Sequence, residues 1–174
     1  AEVRYPEWLD YCEDLIFDLR LKGAGAKFTF QPKATVRFRP RTSVRAFWRQ
    51  YYQYARGDGR AGLFLKRHLI RYVTYLGVLP SVFVVRSRLW RGVVAIAAVL
   101  YMAQPARRLV QREGGPRSKL ATLLAMSAGL RAIGDVAKMA GYPMGLLWRF
   151  RRYGLRRNWR TIPEQLDRRR TFIR

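Results

Sequence analysis

Apolar residues recur at helical spacing near the start of the chain. In EWLDYCEDLIFDLRLKGAG, residues 7–25, the positions Cys12, Leu15, Ile16 and Leu19 share one face and predict a helix. Asp10 stands three residues before Glu13, the spacing of a capping box, and Gly23 and Gly25 end the run. The period then changes. KFTFQPKATVRF, residues 27–38, alternates Phe28, Phe30, Val36 and Phe38 around Gln31-Pro32, which predicts two short strands. After Arg39-Pro40-Arg41 the helical period returns, with Thr42 or Ser43 able to cap a second helix. Its apolar stripe is Val44, Phe47, Trp48, Tyr51 and Tyr54/Ala55, with Arg45, Arg49 and Gln53 on the other side. Gly57-Asp58-Gly59 is expected to break it.

Residues 68–153 have a different texture. Two stretches carry no charge, YVTYLGVLPSVFVV (72–85) and GVVAIAAVLYMAQPA (92–106). At about 1.5 Å per residue each reaches roughly 21–23 Å, short of a ~30 Å hydrocarbon core. Arg86, Arg88 and Arg91 lie between them around Leu89-Trp90. A helical hairpin is expected, re-entrant or spanning with snorkelling Arg, with a buried soluble hairpin as the alternative. KLATLLAMSAGLRAIGDVAKMAGYPMGLLWRF, residues 119–150, is expected to be helical as well. Its Arg131, Asp135 and Lys138 suit an interface-lying or packed helix. The chain is thus expected to divide into 1–67, a hydrophobic helical region 68–153, and a basic tail 154–174 containing Trp159, solvated or touching lipid headgroups.

Charge sharpens this division. The chain has 174 residues, with 35 Lys and Arg against 11 Asp and Glu, a net +24. Residues 1–20 hold six acids and two Arg, a balance of −4, so the other 154 residues carry +28. A protein made only to hold polyanions has no reason to concentrate carboxylates at one end. At 49% apolar the chain has material for a core and is no disordered polycation. The single Cys12 excludes an internal disulfide, and the single His68 argues against a histidine-built metal centre or a Ser-His-Asp triad. Residue 1 is Ala and the first Met is Met102, and the opening reads as the interior of a domain, so a fragment is expected.

Two segments can carry chemistry. Glu13-Asp14 heads a helix, where the positive helix end keeps a carboxylate ionised and able to accept a proton from an attacking hydroxyl. The structural alternative is plain capping, although Asp14 and Asp18 at i,i+4 repel each other on one face. In RAFWRQYYQYARGDG the aromatics beside Gln50 and Gln53 offer a platform for a sugar or a base, the alternative being an amphipathic helix with solvated Arg.

Taken in order, these segments resemble the C-terminal half of a family 2 glycosyltransferase catalytic domain of the GT-A type. The family's E-D-x-x-x-x-x-R-L-x-x-x-G helix is matched by Glu13-Asp14 through Arg20-Leu21 to Gly25. Phe30-Gln31-Pro32-Lys33-Ala34-Thr35-Val36 is similar to its F-x-P-x-A-x-V strand turn. Gln50 through Gly57 stands where processive members carry Q-x-x-R-W-x-x-G, with Gln53 in place of Arg and Tyr54 in place of Trp. The resemblance implies an α/β fragment, the C-terminal part of a nucleotide-diphospho-sugar transferase domain, followed by a mainly helical membrane-associated region. It implies inverting transfer from a nucleotide-sugar donor to a glycan or lipid-linked acceptor. Asp14 would be the base and Glu13 its support, while Gln50, Gln53, Tyr54 and Arg49 would hold the acceptor or the donor diphosphate. A divalent metal, Mg or Mn, is expected for the complete enzyme, with ligands outside this chain, which has no Asp-x-Asp. The isolated chain is expected to be inactive. It should sit on a membrane with anionic lipid, its catalytic part cytoplasmic. A basic nucleic-acid-binding module, not favoured, and a non-catalytic membrane anchor are the other readings.

Overall fold

In the computed structural model, which describes residues 3–113, 117–154 and 160, every regular element is helical and no strand occurs among the described residues. The elements are α1 (Glu13–Gly23), α2 (Val44–Ala61), α3 (Leu65–Tyr72), a π-helical stretch Val73–Val78, α4 (Leu79–Val84), α5 (Arg88–Glu113) and α6 (Arg117–Tyr153). The expected α/β class, a GT-A fragment with strands in 27–38, is therefore corrected to all-helical. The reason lies in what makes a strand. Alternation says which face would be buried, but a ladder needs a partner, and no second strand lies beside 26–42 among the described residues. Phe30 and Val36 are 86% and 88% exposed. The turn itself forms: Ala34 N–H donates to the Gln31 carbonyl (3.1 Å), and Lys33 N–H to Gln31 Oε1 (3.3 Å). The tail reading for 154–174, with Trp159, falls outside the described residues except Gly154 and Arg160.

Packing groups the described residues into two units: those up to Leu65 with those from Ala137 onward, and Lys66–Val136. The first has a small apolar core. Ile16 of α1 is fully buried among Trp8, Leu9, Ala61 and Leu63, with Leu15, Leu19, Trp148 and Tyr153 around them. Trp8 stacks on Trp148 with centroids 6.2 Å apart and planes within 6°. Ser43 caps α2, its Oγ accepting from Ala46 N–H (3.2 Å), and Gly62 ends it in the left-handed region. Gly57-Asp58-Gly59 does not break α2, which runs on to Ala61. These glycines serve close approach instead. A Cβ on Gly57 would lie 2.7 Å from the Tyr11 carbonyl oxygen, and one on Gly59 would collide with the Tyr142 carbonyl. From α6, Gly141 and Gly145 meet the Tyr52 and Arg56 carbonyls in the same way, so two backbones touch where side chains are missing.

In the second unit, residues 66–84 form one nearly continuous helical path, widened to i→i+5 bonding at Val73–Val78. Leu79 N–H donates to the Thr74 carbonyl. Pro80 follows directly, and a proline ring crowds the carbonyl four residues earlier, so widening the preceding turn relieves that clash. The chain reverses at 85–87. Ser87 Oγ accepts from Trp90 N–H (3.3 Å), the contact expected of a serine before a helix, and Trp90 Nε1 donates back to Ser81 Oγ (2.8 Å). Two described helices are long and apolar enough to cross a membrane, over Arg88–Gln111 and Lys119–Tyr153. The second of these was expected to lie at an interface or pack.

Candidate functional site

The sequence places the acidic pair at a helix start, and α1 does begin at Glu13. It begins differently from the expected capping box. The residue before the helix is Cys12, in the left-handed region at φ 65°, with no side-chain cap. Asp10 turns away and accepts from Arg60 Nη1 at 2.6 Å, with Arg56 Nη2 at 3.9 Å. A buried arginine outcompetes a backbone N–H for this carboxylate because the bond is charged on both sides.

Cys12 fixes where the pair points. Its thiol donates to the Tyr54 carbonyl (3.4 Å) and contacts Asp58 Oδ1 (3.6 Å), joining the start of α1 to the C-terminal half of α2. Burial, together with the Asp58 charge beside it, pushes the thiol well above its ordinary range, so Cys12 is a structural bond rather than a nucleophile. Immediately after it, Glu13 is half-buried, with Oε2 closed off from solvent and without a hydrogen-bond partner. Asp14 is exposed, and its Oδ1 accepts only from the neighbouring Leu15 N–H (2.7 Å) among described contacts. One carboxylate oxygen is thus buried and unsatisfied while the next residue's carboxylate stands open.

On α2, Gln50 Nε2 donates to Tyr54 OH (2.8 Å), and Gln53 Oε1 accepts from Arg56 Nη1 (3.3 Å). Gln50, Gln53 and Tyr54 are therefore held on the helix to which Cys12 is tied, whereas Arg49 lies exposed a turn before Gln53. The aromatic stripe does not sink into a core. Tyr51 packs between Phe47 (4.5 Å) and Tyr54 (6.3 Å), and Tyr54 stays exposed. Lys138 Nζ covers the Tyr51 ring at 4.7 Å, so Tyr54 is the open ring, and an exposed tyrosine bordered by amides suits the apolar face and hydroxyl rim of a sugar.

Sequence reasoning missed the cations. A cavity of about 620 Å³ is lined by Tyr52 and Arg56 of α2 and by Met144, Leu147, Trp148, Arg151 and Arg152 of α6. Nearby, Nε of Arg60, Arg149 and Arg152 is buried with no partner. Arg60 lies over Trp148 at 4.6 Å and Arg152 over the same ring at 5.5 Å. Buried unpaired donors beside a cavity of this size suit an oxyanion. The legible signal was Trp148, Arg151 and Arg152 at i, i+3, i+4, which puts them on one helix face. Among the described residues no group of three or more His, Cys, Asp or Glu could hold a metal ion. No family model, curated protein or solved structure matches the chain.

Proposed function

We propose that the chain supplies the acceptor side of an inverting glycosyl transfer at a membrane, from a nucleotide-sugar donor to a hydroxyl acceptor. The observation that carries this is the acidic pair opening α1, pinned through Cys12 to the helix that bears Gln50, Gln53 and Tyr54. Asp14, exposed at the positive end of α1, takes the proton from the acceptor hydroxyl as that oxygen attacks the sugar. Glu13, with its unsatisfied Oε2, accepts a second acceptor hydroxyl and holds it in register. The exposed ring of Tyr54 stacks the acceptor sugar, with Gln50 and Gln53 bonding its rim and Arg49 at the outer edge. Arg56, Arg151 and Arg152 stabilise the charge that develops on the leaving diphosphate.

The apolar helices hold this apparatus at the bilayer. In the Arg88–Gln111 helix none of the apolar window is buried within the protein, which supports lipid as its surroundings. We read the carboxylates as facing the cytoplasmic leaflet, a reading supported only by the preference of the flanking arginines for that leaflet. The test is Asp14→Asn in the protein that carries these residues. Loss of a general base lowers sugar transfer by about 10²–10⁴-fold, with donor binding retained. Unchanged transfer removes Asp14 from the mechanism.

A further inference from the structure

We propose that residues 27–48 form a surface that binds an anionic bilayer leaflet. Phe28, Phe30, Val36 and Phe38 sit at headgroup depth, and the cations between them meet lipid phosphates. The surface uses none of the residues given a role in glycosyl transfer and does not depend on that reading.

Residues 26–42 form neither helix nor strand, and all of them are exposed. Their large apolar side chains find no cover within the chain: Phe28 is 59% and Phe38 71% exposed, and Phe30 and Val36 more so. The charge around them has one sign. Between Asp18 and Asp58 the sequence holds ten Lys and Arg and no acid. Six of these, Lys27, Lys33, Arg37, Arg39, Arg41 and Arg45, are exposed and make no ion pair among the described contacts. The first two turns of α2 continue the pattern, with Arg45 and Trp48 exposed.

The partner's chemistry follows from the mixture. Bare apolar side chains set among unpaired cations need a surface that is anionic at one depth and apolar just below it, which is a leaflet containing anionic lipid. A second copy of this surface would set cation against cation. Single-stranded nucleic acid would meet the cations and stack on phenylalanine, but Val36, at 88% the barest of the four, offers no ring face. The backbone of 27–30 and 35–41 makes no backbone hydrogen bond among those described. Unpaired N–H and C=O groups keep the segment at the hydrated headgroup level, with only its side chains reaching deeper. The Arg88–Gln111 helix, none of whose apolar window is buried in the protein, supports a bilayer among the chain's surroundings.

The test attaches a nitroxide at position 36 through Val36→Cys, an exposed site where substitution leaves the packing untouched. The unsubstituted chain, whose Cys12 thiol is bonded within the fold, is the blank. The full chain is placed in nanodiscs of equal phosphatidylglycerol and phosphatidylcholine, and label depth is read from relaxation by oxygen against an aqueous nickel complex. The label is expected at headgroup depth in these discs and in water in pure phosphatidylcholine. Lys33→Gln, Arg37→Gln and Arg39→Gln together lower the bound-to-free ratio roughly a hundredfold, at about fivefold per cation near an anionic surface. A label in water in both discs overturns the surface, and one equally deep in both overturns the selection of anionic lipid. Release from the anionic discs by stoichiometric oligouridine overturns lipid in favour of nucleic acid. A chain that stays outside the bilayer, yet buries the label on anionic discs alone, keeps the surface and overturns the spanning helices instead.

Discussion

The two packed units each bury a charged side chain, and they bury opposite partners. In the first, Arg60 is 8% exposed while its partner Asp10 is 60% exposed. In the second, Asp135 is 9% exposed and Arg71 17%. Water can take over from Asp10 if its bond is lost, but nothing comparable reaches Asp135. The first unit therefore owes its coherence to shape: backbones in contact at Gly59, Gly141 and Gly145, and the Trp8–Trp148 stack. The second depends on one polar hub among apolar helices. A charge seated on a shape-built core is available to a ligand, whereas one that serves as the hub is committed to the fold.

The largest effect comes from breaking that hub. Asp135→Leu strips Arg71, Tyr75 and Tyr101 of their shared acceptor and is expected to cost about 3–5 kcal/mol. Thermal unfolding in detergent, followed by circular dichroism, reads it directly. Adding Arg71→Leu restores much of the loss, because two apolar residues replace a buried pair more cheaply than one unpaired charge survives. If the double variant melts no higher than the single one, Asp135 stabilises through its tyrosines and not through Arg71.

Next in size is a change of shape in the first unit. Gly141→Ala puts a methyl group against the Tyr52 carbonyl, where backbone and not a flexible side-chain tip must yield. About 1–3 kcal/mol of destabilisation is expected. Gly77→Ala, in the second unit with open space around its Cβ position, is the matched control and is expected to gain up to about 1 kcal/mol from helix propensity. Equal changes at both positions would mean that the contact with the Tyr52 carbonyl does not decide the outcome.

Cys12 gives a smaller, pH-dependent signal. Its folded thiol titrates well above the unfolded one, so the stability it contributes is complete below the unfolded value of about 8.5 and falls as pH rises through it. Unfolding free energy measured from pH 7 upward should decline beyond that point, and Cys12→Ala should flatten the decline. In the folded protein the thiol should resist iodoacetamide at neutral pH and react once urea unfolds the chain.

Local signals were legible where the physics is local. Ser43, the Gln31-Pro32 turn, the helix start at Glu13 and the stop after Gly23 all depend on residues within a few positions of each other. What failed depended on distant partners. Asp10 was read as a cap because Arg60, fifty residues on, was not in view. Gly57 and Gly59 were read as breakers, yet their missing side chains answer to Tyr11 and Tyr142. Residues 27–38 have the alternation of strands and lack a neighbour to pair with among the described residues. Of the candidate site, the acidic pair and the Gln50–Tyr54 helix were visible by type and order. The thiol bridge joining them and the arginine cavity on α6 were not, since both arise only when α2 meets α1 and α6.

The smallest effect tests the contrast most sharply. Asp10→Asn makes the same kind of change as removing the Asp135 charge, on a carboxylate that also accepts from arginine. Because Asp10 is mostly exposed, its Coulomb attraction is screened, and an amide oxygen can still accept from Arg60. A loss of about 0.2–1 kcal/mol is expected, shrinking further as salt is raised. Asp135→Asn, measured under the same conditions, should lose several times more and show little salt dependence. If the two amides cost the same, Arg60 is as dependent on its acid as Arg71 is, and the first unit's charges are not available to a ligand. A small, salt-sensitive Asp10 effect leaves Arg56 and Arg60 with positive charge that the fold does not consume, as an anion in the adjoining cavity requires.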